Sequence, residues 1–213
     1  VGGIANKSVI ETHLFYRNLM DDIYSTYHTV QPTETPFPFT DVPESRWSYP
    51  YIKELYEAGV VSGTTATTFE PNGSVTRAQF VTMLAGLAGV DVTPYTDGKF
   101  TDVPSGAWYA PYVNWAAANN IVSGTSATTF DPNATISRQD MAVMLYNYTQ
   151  HFGVQLDQKT VTAFTDEGSV AAYALPAVQA LHRAGVINGM PDGSFRPYDT
   201  ATREQACAVL CAL

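Results

Sequence analysis

From residue 39 onward, apolar residues recur in short helical stripes separated by polar, turn-rich stretches. Ile52, Leu55 and Tyr56 fall at helical spacing, and Phe80, Met83, Leu84 and Leu87 form a second stripe. The second stripe returns as Met141, Met144, Leu145 and Tyr148, and again as Ala206, Val209, Leu210 and Leu213. Pro50, Pro111 and Pro176 stand in the first turn of each leading helix, where a missing N–H costs nothing. Gly59, Asn120 and Gly185 stand where a left-handed residue ends that helix. The pattern predicts three helix–loop–helix units in an all-α protein. No unit of this size buries its stripe alone, so the three should share one core around a pseudo-threefold axis.

The stretches between the stripes repeat as well. Phe39-Thr40-Asp41-Val42-Pro43 returns as Phe100-Thr101-Asp102-Val103-Pro104 and then as Phe164-Thr165-Asp166. Arg77 to Arg138 is 61 positions and Arg138 to Arg203 is 65; Trp47 and Trp108 keep the 61 spacing, while Tyr173 stands where a third Trp would. The repeats are assigned to residues 39–99, 100–163 and 164–213, forming one domain. Residues 1–30 follow another pattern: a capping box at Ser8-Val9-Ile10-Glu11 opens a predicted helix to about His28. Residues 31–38 are a proline-rich, extended linker.

The second helix of each repeat starts at a capping residue, Thr76, Ser137 or Thr202, with Gln79, Asp140 or Gln205 three positions on. Copies one and three carry a nearly standard capping box, and copy two an approximate one. Capping does not account for Arg77, Arg138 and Arg203, each at the first helical position. A cation there faces the positive end of the helix dipole. An anion held between each guanidinium and free helix amides would explain the placement.

Composition narrows the classes. The chain has 213 residues, 45% hydrophobic and 15% charged, which suits a folded protein long enough to bury a core. A formal charge of -9 without a basic stripe argues against nucleic acid as a partner. No apolar run reaches membrane-spanning length. The opening Val1-Gly2-Gly3 is read as a processed protein or a piece of a longer one. Cys207 and Cys211 read as small apolar residues. His13, His28, His151 and His182 are scattered, and Asp131, Asn133 and Thr135 have calcium-loop spacing but meet Ala142 where a bidentate Glu is needed. No metal, cofactor or catalytic constellation is legible.

In order and three times over, Phe-Thr-Asp, Trp, a Gly-bearing turn such as Val60-Val61-Ser62-Gly63, Phe-x-Pro and Thr-Arg-Ala-Gln resemble the surface-layer homology (SLH) repeat across residues 39–213. The resemblance implies a three-pronged spindle of helix–loop–helix repeats around a central three-helix bundle. It further implies a non-catalytic module of extracellular bacterial proteins that holds pyruvylated or otherwise anionic secondary cell-wall polysaccharide in the grooves between prongs. The family's Thr-Arg-Ala-Glu motif falls on Thr76-Arg77-Ala78-Gln79, with Gln in place of Glu, and less closely on Ser137-Arg138-Gln139-Asp140 and Thr202-Arg203-Glu204-Gln205.

Carried over residue by residue, the candidate ligand contacts are Asp41, Trp47, Gly63 and Arg77; Asp102, Trp108, Gly124 and Arg138; and Asp166, Tyr173, Gly189 and Arg203. The chemistry agrees: Arg offers a planar fork for carboxylate, Trp a flat face for a sugar ring, and Gly close backbone approach. Each residue also has a structural reading. The arginines could pair with Asp41, Asp102 and Asp166, the tryptophans could be core, the aspartates could cap loops, and the glycines could make turns. Because Tyr173 replaces Trp, the third-copy site is expected to be the weakest. A protein-interaction module contacting a neighbouring surface-layer protein, or a fragment of an enzyme, are the alternative functions.

Overall fold

The computed structural model describes residues 37–213; the helix expected over residues 1–30 and residues 31–36 of the linker lie outside the described residues. Six α-helices follow in order: α1 Tyr49–Glu57, α2 Arg77–Ala88, α3 Ala110–Ala118, α4 Arg138–Phe152, α5 Leu175–Ala184 and α6 Arg203–Cys211. A single 3-10 turn, Glu167–Ser169, precedes α5. The described residues form no strand, only isolated bridges. The fold is all-α, and the leading helices stop where expected, with φ of 72° at Gly59, 56° at Asn120 and 79° at Gly185.

The repeats close on one another. Each leading helix packs on the second helix of another repeat: α3 on α2, α5 on α4 and α1 on α6. Helix α2 also touches both α4 and α6. At the centre lie Val75, Ile136 and Ala201, equivalent residues two positions before each helix and wholly buried. Their backbones form a closed ring: Val75 N–H donates to Ala201 at 3.0 Å, Ala201 N–H to Ile136 at 3.0 Å, and Ile136 N–H to Val75 at 2.8 Å. Bridges between Thr76 and Thr135, Ser137 and Thr200, and Thr202 and Ser74 flank the ring. Every buried polar group in it is therefore satisfied only when all three repeats are present.

The apolar stripes bury as the periodicity requires, with Phe80, Leu84, Leu87, Met141, Leu145, Tyr148 and Leu210 in the core. Copy three differs in one detail. Val209 is only half-buried, whereas Met83 and Met144 at the equivalent position are buried; Cys207, two residues earlier, is wholly buried, as Val81 and Ala142 are. Both cysteines are free thiols, and burial pushes Cys207 up to about 12.

Ile136 supplies its side chain as well as its backbone to the closure. Ile136→Ala is expected to cost about 2–5 kcal/mol in denaturant unfolding. Because the ring couples the repeats, the loss should appear as one shifted transition monitored by circular dichroism, not as separate melting of the second repeat.

A candidate ligand site in the clefts between repeats

The helix starts are occupied by protein. Thr76, Ser137 and Thr202 cap as expected, accepting from the amides of Gln79, Asp140 and Gln205, and the reciprocal half of the box is made in copies one and three. The next two amides, however, go to the neighbouring repeat. Arg77 and Ala78 donate to the carbonyls of Ala134 and Pro132, Arg138 and Gln139 to Asp199 and Pro197, and Arg203 and Glu204 to Gly73 and Pro71. The expectation of free helix amides waiting for an anion is thus corrected: neighbouring carbonyls already satisfy them and answer the positive end of the dipole.

The arginines follow the same cyclic rule. Arg77 Nε donates to the Phe130 carbonyl at 2.8 Å, Arg138 Nε to Phe195 at 2.7 Å, and Arg203 Nε to Phe69 at 2.7 Å. Each guanidinium lies over the ring of that same phenylalanine, at 4.7, 5.1 and 4.2 Å. The carbonyl bond and the cation–π contact both cross a repeat boundary, so each arginine is a staple before it is anything else. Burial lowers the pKa of all three from the ordinary value, and guanidinium remains charged throughout the physiological range.

Asp41, Asp102 and Asp166 hold the staple's target. Each carboxylate accepts two consecutive amides: Phe69 and Glu70, Phe130 and Asp131, or Phe195 and Arg196, at 2.7–2.9 Å. The second residue of each pair is left-handed, with φ of 58°, 61° and 58° at Glu70, Asp131 and Arg196. A non-glycine residue is strained there, and the carboxylate fixes it. The aspartates are therefore loop caps that aim the phenylalanine carbonyl. They form no ion pair with the arginines and line neither of the clefts described below. Gly63 and Gly124 are loop-packing residues too: a Cβ would strike the ring of Phe39 or Phe100 and nearby backbone carbonyls.

Arg77 and Arg138 also line clefts built from all three repeats. One cleft, about 800 Å³, brings Arg138 of the second repeat to Gly189 of the third and Trp47 of the first. A second, about 590 Å³, joins Arg77 of the first repeat, Gly124 of the second and Tyr173 of the third. Tyr173 thus serves the arginine of copy one, and the expectation that it weakens a site of copy three's own is corrected. Arg203 donates its Nη2 to Ser62 at 2.8 Å, beside Gly63. Trp47, Trp108 and Tyr173 each sit directly before the cap of a leading helix and are 55%, 60% and 61% exposed, which rules out a core role.

Repetition hid the residues that differ. The N3 position is Gln205 in the Arg138 cleft, where its Oε1 lies 3.4 Å from Nη1. In the Arg77 cleft it is Asp140, 3.8 Å from Nη1 and 2.7 Å from the Tyr173 hydroxyl. Burial, then the bond to Asp140, pushes the Tyr173 phenol up to about 12. Between repeats three and one, Glu204 takes Arg46 Nε at 2.8 Å and the buried Ser48 hydroxyl at 2.6 Å. The only sequence signal for Asp140 was its imperfect capping box.

The repeats thus close into a ring that frames open clefts, two of which offer an aromatic face beside a guanidinium. The profile of the S-layer homology domain matches residues 38–81, 99–142 and 163–207. The chain is 36% identical over 187 residues to an endoglucanase of Bacillus sp. (strain KSM-635), covering 87% of this chain and 20% of the relative. It is 27% identical over 168 residues to an S-layer protein of Bacillus thuringiensis subsp. finitimus, covering 79% and 20%. It is 26% identical over 181 residues to a cellulosome-anchoring protein of Acetivibrio thermocellus, covering 81% and 38%. The chain belongs to the S-layer homology family, a non-catalytic anchoring module of bacterial cell-surface proteins. It spans a fifth or less of the first relatives' length, and enzymes among them match only through this region.

Two outcomes separate the staple from the cleft. Arg138→Ala leaves the Phe195 carbonyl unpaired and should destabilise the fold by about 1.5–3 kcal/mol, whereas Trp47→Ala should stay within about 0.5 kcal/mol of wild type in the same unfolding titration. Acid should reveal the loop caps. Burial raises the Asp102 pKa, but the Phe130 and Asp131 amides, with Arg77 nearby, outweigh it and the net shift is downward. Its contribution is present above the ordinary aspartate value of about 3.9 and is lost as pH falls through the lower folded value. The stability gap between wild type and Asp102→Ala, measured by urea unfolding across pH 7 to 2.5, should therefore narrow below pH ~4.

Proposed function

We propose that this chain is a non-catalytic cell-wall anchor that binds an acidic, pyruvylated secondary cell-wall polysaccharide in the clefts between its repeats. In this reading the three repeats are the prongs of a spindle and α2, α4 and α6 its central bundle. The observation that carries it is the Arg138 cleft. There an exposed tryptophan, a guanidinium whose Nη2 has no protein acceptor among the described residues, and the backbone at Gly189 share one concave surface. A pyruvyl ketal on a hexosamine presents a carboxylate on a sugar ring, and guanidinium beside indole matches that pair of features. Trp108 and Gly63 stand by cyclic order at the corresponding positions around Arg203.

The proposed contacts are the arginines, the Trp47, Trp108 and Tyr173 rings, and backbone at Gly63, Gly124 and Gly189, with Asp41, Asp102 and Asp166 acting behind them through the loops. The family membership supports attachment to the bacterial wall, and the relatives named for S-layers and cellulosome anchoring support a carried protein beyond this chain.

The test uses Trp47, because removing an arginine disturbs the fold. Purified wall polymer should bind the wild type, and Trp47→Ala should weaken binding about tenfold, or 1.4 kcal/mol, with the unfolding midpoint unchanged. Equal calorimetric affinities for the two proteins would contradict the assignment. Binding of a neighbouring surface protein but not of the polymer would favour the interaction-module alternative.

A further inference from the structure

The clefts are not equivalent, and the difference lies in the acid that one of them already contains. In the Arg77 cleft all three guanidinium nitrogens are engaged. Nε donates to Phe130, Nη2 to Ser123 at 3.3 Å, and Nη1 faces the Asp140 carboxylate at 3.8 Å. Asp140 is held there by Tyr173, which donates its hydroxyl at 2.7 Å and in turn accepts from Gln139 Nε2 at 3.2 Å. In the Arg138 cleft the same helical position is Gln205, whose Oε1 is also occupied by the Thr202 amide at 3.2 Å. A neutral amide committed to its own cap supplies no charge opposite that guanidinium, and the acids nearest to it, Asp199 and Asp166, do not line the cleft.

We infer that Asp140 is a specificity-determining residue that fills the acid position of the Arg77 cleft, so that an anionic sugar enters the Arg138 cleft in preference. The inference rests on the anchoring reading above. A ligand carboxylate brought to Arg77 would meet a fixed carboxylate at the same nitrogen and would have to displace it from Tyr173. Like charges at that separation repel, whereas the Arg138 cleft presents no such competitor. The departure from the capping box in copy two has the same origin: an Asp side chain, one methylene shorter than Gln, leaves its cap amide and points to the neighbouring repeat's tyrosine.

The experiment follows each cleft by its own reporter in 15N-resolved NMR titrations with a pyruvylated N-acetylhexosamine glycoside. The Trp47 indole N–H reports the Arg138 cleft and the Gly124 amide reports the Arg77 cleft. In the wild type, Trp47 should respond at about tenfold lower probe concentration than Gly124. In Asp140→Asn and Asp140→Gln, the Gly124 response should move to about tenfold lower concentration while Trp47 stays fixed. Asn keeps an acceptor for Tyr173, and Gln is the residue the other two copies use, so at least one folded variant is secured; circular dichroism checks both. Equal response of the two reporters in the wild type overturns the inference, as does a Gly124 response unmoved in both variants; in either case a responding Trp47 leaves the anchoring reading intact. No response from either reporter in any of the three proteins overturns both.

Discussion

Three backbone hydrogen bonds joined end to end, Val75 to Ala201 to Ile136 and back to Val75, decide what the rest of the chain can do. They lie two residues before the three second helices, where amides need acceptors and where each repeat's own cap side chain satisfies only one of them. The ring amides take their acceptors from one neighbouring repeat and the first helix amides from the other, so every helix start becomes an interface. The staple arginine extends the same exchange outward by one side chain, onto the carbonyl and ring of the neighbour's phenylalanine. A cation beside the positive pole of a helix is tolerable in this setting because neighbouring carbonyls surround that pole. Buried paired groups of this kind add specificity of assembly along with stability.

The clefts follow from the exchange. Leading helices dock on another repeat's second helix, and the exposed aromatic before each cap is carried across with them. One cleft therefore draws its cation, its glycine and its aromatic face from three different repeats. Cleft and closure are consequently one structure, and no single repeat contains a whole cleft. The chemistry at the mouth of each cleft is then set by residues that vary between copies, Asp140 against Gln205 and Tyr173 against Trp47. Charge outside these clefts matters little at this range, because solvent and salt screen it over roughly 8–10 Å.

Much of this was legible in the letters. The six helices of the repeats, the caps at Thr76, Ser137 and Thr202, and the left-handed stops at Gly59, Asn120 and Gly185 depend on neighbours within a few residues, and they are found where the pattern puts them. The oddity of three arginines at helix starts was legible too, but not its cause. Repeated motifs carry no mark of whether an arginine faces its own repeat or another, and only the fold sets Tyr173 of the third copy beside Arg77 of the first. The aspartates were ambiguous for a similar reason. A carboxylate 28 or more residues before the amides it caps leaves no local signature, and only the folded loop brings Asp41 to Phe69. The exposure of Trp47 and Trp108 was likewise undetermined, since a tryptophan before a helix cap suits a core as well as a cleft.

Native-state hydrogen exchange at the Val75, Ile136 and Ala201 amides tests the closed ring most directly. If the three repeats stand or fall together, all three amides exchange with one opening free energy, equal to that of global unfolding, and they lose protection in parallel as denaturant is added. A lower opening free energy at one of them, above all at Ala201 with the smallest side chain, would mean that a repeat can leave the ring while the others stay folded, and the account would fail.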